Sequence, residues 1–203
     1  KFQHAFNWMG PDATMPGIGV MRALGDSLHL VTGLHRGFVN PAPGSGTGPE
    51  QSWNYEAGLR YERNAAALEA MGFLVEYENL VGTCTASTGG GCTIGDQYDG
   101  GRARVYGLEF VASHDLGRVL ELGLALPLSV VYTYTQGEFR TSFVSNFAEW
   151  GDATAGDELP YVPAHQMTLN AGLEGQAWRL NLALNYVGET RATAGSGSIP
   201  VAQ

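Results

Sequence analysis

Few side chains in this 203-residue sequence have the type and spacing to do chemistry, and they fall into three groups. His29 and His35 stand an even number of residues apart, so on a β-strand they share a face. Cys84 and Cys92 flank a glycine-rich run, "TCTASTGGGCTIG". Such a span can bend enough for a disulfide, which would close a small loop and imply an oxidising compartment. Two free thiols are the alternative; zinc lacks a nearby His or third Cys at ligand spacing. Asp96, Asp99, Asp115, Asp152 and Asp157 sit in loops or turns, but "GDQYDG" lacks the ligand loop of a calcium site and reads as a solvated acidic loop. The stretch "GSGTGPE" has the glycines of a phosphate-binding loop without its lysine. Neither a G-x-S-x-G elbow nor an H-E-x-x-H helix is found. The sequence therefore assigns no catalytic set, no metal and no cofactor.

The elements that would position these residues are strands. In "SWNYEAGLRYERN", Trp53, Tyr55, Ala57, Leu59 and Tyr61 alternate with Ser52, Asn54, Glu56, Gly58, Arg60 and Glu62. That period of two marks a strand with one apolar and one polar face. "WRLNLALNYVG" and "HQMTLNAGLE" repeat it, and in "SLHLVTGLHRGF" Leu28, Leu30, Thr32 and Leu34 share one face while His29, Val31, Gly33 and His35 share the other. Eight strands are expected, near 16–24, 26–38, 52–64, 66–81, 103–116, 119–140, 164–175 and 178–190. The segment 66–81, "AALEAMGFLVEYENLV", begins like a helix, but Met71, Phe73, Val75 and Tyr77 alternate. Between 120 and 134 a long Leu/Val/Tyr alternation is interrupted by Pro127, where a bulge or distortion is expected.

The connections distinguish the solvents. "LGD" (24–26), "RNAA" (63–66), "LGR" (116–118) and "EGQA" (174–177) read as short turns, whereas 39–51, 82–102, 141–163 and the segment after Glu189 are long and polar. A soluble sandwich has no reason to alternate short and long connections; an outer-membrane barrel has short periplasmic turns and long external loops. Aromatics gather near the strand ends, with Phe38, Trp53, Tyr55, Tyr134 and Tyr186 toward the long loops and Trp178 toward the short turns. Amphipathic rings favour a membrane–water boundary. Charged residues make up 15% of the chain, against roughly 25% in average soluble domains. A net charge of −9, with Lys1 the only lysine, leaves no basic footprint for nucleic acid. The fold class expected is all-β, an antiparallel up-and-down transmembrane β-barrel in which the aromatic face meets lipid. No apolar run reaches the length of a transmembrane helix.

Several stretches then become familiar together: "LHRGFVNPAPGSG" (34–46), "PEQSWNYEAGLRYE" (49–62), "GGRARVYGLEF" (100–110), "VVYTYTQGEFRTSF" (130–143), "GDELPYVPAHQMTL" (156–169) and "LNYVGETRATAGSGSIP" (184–200). In this order, over nearly the whole chain, they resemble the barrel of TonB-dependent outer-membrane receptors, the ferric citrate-type branch in particular. The resemblance implies a barrel of about 22 strands in the bacterial outer membrane, of which residues 1–203 would supply about eight. It implies uptake of a ferric chelate or similar scarce nutrient, with the TonB complex pulling on a plug domain at the expense of the proton-motive force. The plug and the barrel-closing C-terminal strands are not recognised, and "KFQHAFNWMG" begins in mid-pattern, so the sequence reads as an excerpt.

By parity, His35, Asn54, Glu56, Gln166 and Asn185 face the lumen near the external rim, where a ligand would pass. Arg140 stands at the base of a long loop, placed for an anionic chelate or for lipopolysaccharide phosphates. Outer-membrane lipid and lipopolysaccharide are the expected surroundings. A passive porin or small eight-stranded barrel, a soluble ligand-binding β-barrel and a membrane-barrel enzyme built around His35 and Glu56 are the competing readings.

Overall fold

The computed structural model describes residues 3–5, 13–86, 88 and 92–199. Its main feature is one antiparallel sheet of eight strands, each hydrogen-bonded to the next in sequence. These are β1 (Gly17–Ala23), β2 (Leu28–Val39), β3 (Glu50–Arg63), β4 (Ala66–Asn79), β5 (Ala103–Asp115), β6 (Pro127–Phe139), β7 (His165–Glu174) and β8 (Arg179–Val187). The spatial order equals the chain order, so every connection is a hairpin and the sheet is an up-and-down meander. Short two-stranded ribbons lie outside it, pairing Gln3–Ala5 with Ala13–Met15, Val81–Thr83 with Gln97–Asp99, and Phe143–Val144 with Asp152–Ala153.

The segment that began like a helix is β4. Helix propensity loses there because β3 and β5 pair with it along nearly its whole length. A different expectation fails at residues 119–126. Residues 116–119 form one helical turn, and β6 starts at Pro127 instead of carrying a bulge there. Proline has no N–H for a ladder and is accepted at the first residue of a strand. Asp115 holds the turn: its carboxylate accepts from Gly117 N at 3.1 Å and from Leu126 N at 2.9 Å. The connection after β5 thus runs over 116–126 and is as long as the opposite connection at 40–49, so the alternation of short and long is not strict.

Register assigns the faces. Residues opposite one another on antiparallel strands project to the same side. One cross-strand row runs Leu30, Leu59, Ala70, Phe110, Tyr132, Met167 and Tyr186. A neighbouring row on the opposite face runs His29, Arg60, Glu69, Val111, Val131, Thr168 and Asn185. The first face is apolar and uncovered: Ile18, Leu59, Leu108, Phe110, Leu182 and Leu184 all expose more than a third of their surface. The second face is mixed and largely polar. Its apolar exceptions include Met71, Phe73, Val75 and Tyr77 of β4, so the alternation that identified this strand lies on the same side as Asn54 and Glu56.

A packed core exists, but not between layers of strands. Among the described residues the buried apolar side chains are Cys84, Ala103, Phe139, Phe147, Trp150, Ala153 and Leu159. All of them lie in the long connections or at the strand ends that lead into them.

Candidate functional site

The site that this architecture can build is the inner, mixed-polar face at its long-loop end. Pairing brings three of the expected residues together. His35 of β2 stands opposite Asn54 of β3, and Gly33 stands opposite Glu56. Asn54 Nδ2 donates to the His35 carbonyl at 3.4 Å and to Ser52 Oγ at 3.1 Å, so the amide is tied to the wall. The side chains of His35 and Glu56 remain exposed, and glycine opposite Glu56 leaves its carboxylate an unobstructed neighbour.

Gln166 and Asn185 form a second cluster. Asn185 stands opposite Thr168, whose Oγ1 donates to Asn185 Oδ1 at 2.9 Å, while Gln166 lies between Thr133 and Val187. Both clusters are on the inner face, but β4, β5 and β6 intervene. At about 4.8 Å per strand, β3 and β7 are roughly 19 Å apart along the sheet. The five residues are therefore two separate patches of wall, not one convergent site.

The region above β4–β6 was not anticipated as structure. The connection 140–164 folds inward and seats Phe147 and Trp150 against the inner ends of β5 and β6. Trp150 meets Phe139, Phe143 and Phe147 edge-on, with ring centroids 5.7, 5.8 and 5.0 Å away. Phe147 stacks on Tyr98 of the neighbouring connection at 5.2 Å. Gly82 and Gly100 make this approach possible: a Cβ at either position would come within 2.7 Å of the Trp150 ring. The segment after β8 is tied in by polar contacts. Arg191, 5% exposed, donates to Glu158 at 2.5 Å and to the carbonyl of Gly197. Ala194 N donates to Glu149 O, Glu158 N to Gly195 O and Tyr161 N to Arg191 O, all within 2.8 Å. The spacing of Phe143, Phe147 and Trp150 inside an otherwise polar connection was the available sequence signal for this core.

Cys84 and Cys92 are joined, with sulfurs 2.01 Å and Cα atoms 6.2 Å apart. The loop aspartates serve turns. Asp96 accepts from Thr93 N, Asp157 from Thr154 N, and Asp99 from Gly48 N and Asn79 Nδ2. Among the described residues no group of three or more His, Cys, Asp or Glu side chains could hold a metal ion.

On the apolar face, one row changes character near the long loops. Arg36, Trp53, Glu76, Arg104 and Glu138 are successive cross-strand partners. Arg36 lies over the Trp53 ring at 5.7 Å and pairs with Glu78 at 3.4 Å; Arg104 pairs with Glu76 at 2.5 Å, and Arg140 with Glu138 at 2.9 Å. From Arg104 down to Asp115, at about 3.3 Å per residue and a tilt near 40°, the strand covers roughly 28 Å, close to the height of a barrel's apolar band.

The family model for TonB-dependent receptor-like β-barrels matches residues 3–201. The chain belongs to that family. Among solved structures, the ferric citrate transporter FecA in its unliganded form is 25% identical, with a TM-score of 0.62 over 87% of this chain and 25% of FecA. The siderophore receptor PirA from Acinetobacter baumannii is 14% identical, with a TM-score of 0.63 over 93% of this chain and 30% of PirA, a likeness of fold. The TonB-dependent receptor segment seen here thus spans a quarter to a third of the length of those receptors. The family is one of receptor and transporter barrels, and its solved relatives are of that kind.

Proposed function

We propose that residues 1–203 form part of the wall and external loops of an outer-membrane receptor that imports a ferric chelate, or a similar scarce nutrient, with energy delivered by TonB. The plug through which TonB acts and the remaining strands would belong to the rest of a longer protein. One observation carries this reading: an eight-stranded sheet presents Leu, Ile, Phe and Tyr uncovered on one face, while the opposite face is mixed and largely polar and is covered at the loop ends of β4–β6 by a folded cap. Lipid satisfies the first face, and a wet lumen the second. The charged row from Arg36 to Glu138 then lies at the level of lipid headgroups and lipopolysaccharide, and the long loops face the exterior. His35, Asn54 and Glu56 on one side, and Gln166 and Asn185 on the other, are the wall groups that a ligand would meet. The names of the two solved relatives favour a ferric ligand.

The test is growth of a deletion strain with ferric citrate or a purified ferric siderophore as the only iron source. Slower growth of the mutant, restored by the intact gene, is expected, together with loss of uptake when TonB is inactivated. Equal growth on every ferric chelate supplied would remove iron from the reading. Uptake that persists without TonB would turn the protein into a passive porin.

A further inference from the structure

Three of the long connections share one interior. Trp150 of the 140–164 connection fills a space created by Gly82 and Gly100 of the 80–102 connection, and Phe147 stacks on Tyr98 of the same segment. The segment after β8 enters through Arg191, which is buried against Glu158 and holds the carbonyl of Gly197. Neither end of this assembly can move without opening an apolar interface or baring a buried guanidinium, and both are costly. The connection 40–49 differs. It is tethered to its neighbour by polar contacts, Ala42 N to Gln97 Oε1 and Gly48 N to Asp99 Oδ1, and contributes no side chain to the core.

The consequence is an asymmetric mouth. At the loop ends of β5 and β6 the inner face is covered, with Ala103 and Phe139 fully buried and Val105 packed beneath the cap. In the two rows below, His35 and Glu56 are exposed on β2 and β3, whereas Gly137 and Gly107, which share those rows on β6 and β5, are buried. We propose that the connections after β4, β6 and β8 form one fixed cap closing the β4–β6 sector, so that a ligand crossing this part of the mouth is confined to the open wall of β1–β3, lined by His35, Asn54 and Glu56. The proposal rests on the barrel reading given above but not on the identity of the ligand. The wall offers imidazole, amide and carboxylate groups, which suit a polar, hydrogen-bonding solute better than an apolar one.

The experiment uses the full-length receptor in whole cells, with single cysteines at His35, Glu56, Ala103 and Val105, and a membrane-impermeant polyethylene-glycol maleimide as the probe. His35→Cys and Glu56→Cys should be labelled at least roughly tenfold faster than Ala103→Cys and Val105→Cys, because covered sites react only through local opening. Adding Trp150→Ala should accelerate labelling at Val105→Cys and leave His35→Cys unchanged. In hydrogen exchange, the same substitution should deprotect 80–84, 98–101 and 191–195 together. Equal rates at all four sites, fast or slow, would overturn the proposal, as would deprotection restricted to 147–153. If Trp150→Ala fails to assemble, Arg191→Gln asks the same question from the other end of the cap, with the same expected pattern. A receptor that shows this pattern but imports no ferric chelate loses the transport reading and keeps the cap; one that imports it with uniform labelling does the reverse.

Discussion

The sheet and the cap of this protein obey opposite rules of burial. In the sheet, the largest apolar side chains point away from every other part of the chain: Leu180 exposes 64% of its surface and Leu108 60%. In the cap, Phe147 and Trp150 expose 3% and 6% within segments rich in Ser, Thr, Asp and Gly. A water-soluble β protein would show the reverse, with its core between strands and its loops solvated. The difference teaches that the two regions answer to different solvents. On the membrane reading proposed above, the strands are finished by lipid, which removes any need for a second layer, whereas the loops stand in water and must bury their own aromatics.

The comparison can be broken most directly at the cap. Trp150→Ala should cost about 3–5 kcal/mol of local stability, the usual range for deleting a buried Trp side chain. Limited proteolysis should then cut within 140–164 while the barrel still resists unfolding by detergent and heat. Cleavage accompanied by loss of the whole barrel would mean that the two regions are not separable.

A smaller effect is expected on the lipid side. Phe110→Arg, in the middle of the apolar face, should reduce the folded, membrane-inserted fraction by about 2–4 kcal/mol, the penalty for a cation near the bilayer midplane. Glu109→Arg, one residue away and on the inner face, should assemble normally. If the two substitutions behave alike, the assignment of faces is wrong.

Removing the disulfide sharpens the picture of the loop tip. A double Cys84→Ser, Cys92→Ser variant should lose about 2–3 kcal/mol of local order around the tip, the loop-closure contribution of so short a ring. Exchange should rise at 84 and 95–97, with the Trp150 cluster intact, because Trp150 packs on Gly82 and Gly100 rather than on the disulfide.

The smallest effect concerns pH. Desolvation, then the nearby charge of Glu149 and a hydrogen bond to it, raise the Tyr161 phenol above its ordinary value of 10.0. A raised pKa means that the folded form favours the protonated phenol. Its stabilising contribution is therefore complete below pH 10 and is lost as pH rises through the elevated value. Tyr161 is well exposed, so the change should be slight: local exchange around 149 and 161 should increase in strong alkali, and Tyr161→Phe should abolish that step.

Much of the sheet was legible because a strand in a barrel repeats one physical demand, an apolar side chain on every second residue. The expected spans of β1, β2, β7 and β8 agree with the observed strands to within a few residues, and parity placed His35, Asn54 and Glu56 on one face. Residues 119–126 were misread because leucines at alternate positions look like a strand whatever the backbone does. The carboxylate of Asp115, which caps the helical turn at 116–119, also holds Leu126 across a distance no periodicity records. The wall positions of the candidate site were likewise accessible from parity, but the separation of Gln166 and Asn185 from the other three depends on the strands that lie between.

The sequence by itself determined most of the strands, their two faces and the family, because each follows from local alternation or from motifs in order. Only the tertiary structure decided that the loops have a core. The contacts that make it, Trp150 on Gly82 and Gly100, Phe147 on Tyr98 and Arg191 on Glu158, join residues far apart in the chain whose partners are invisible until the backbone brings them together.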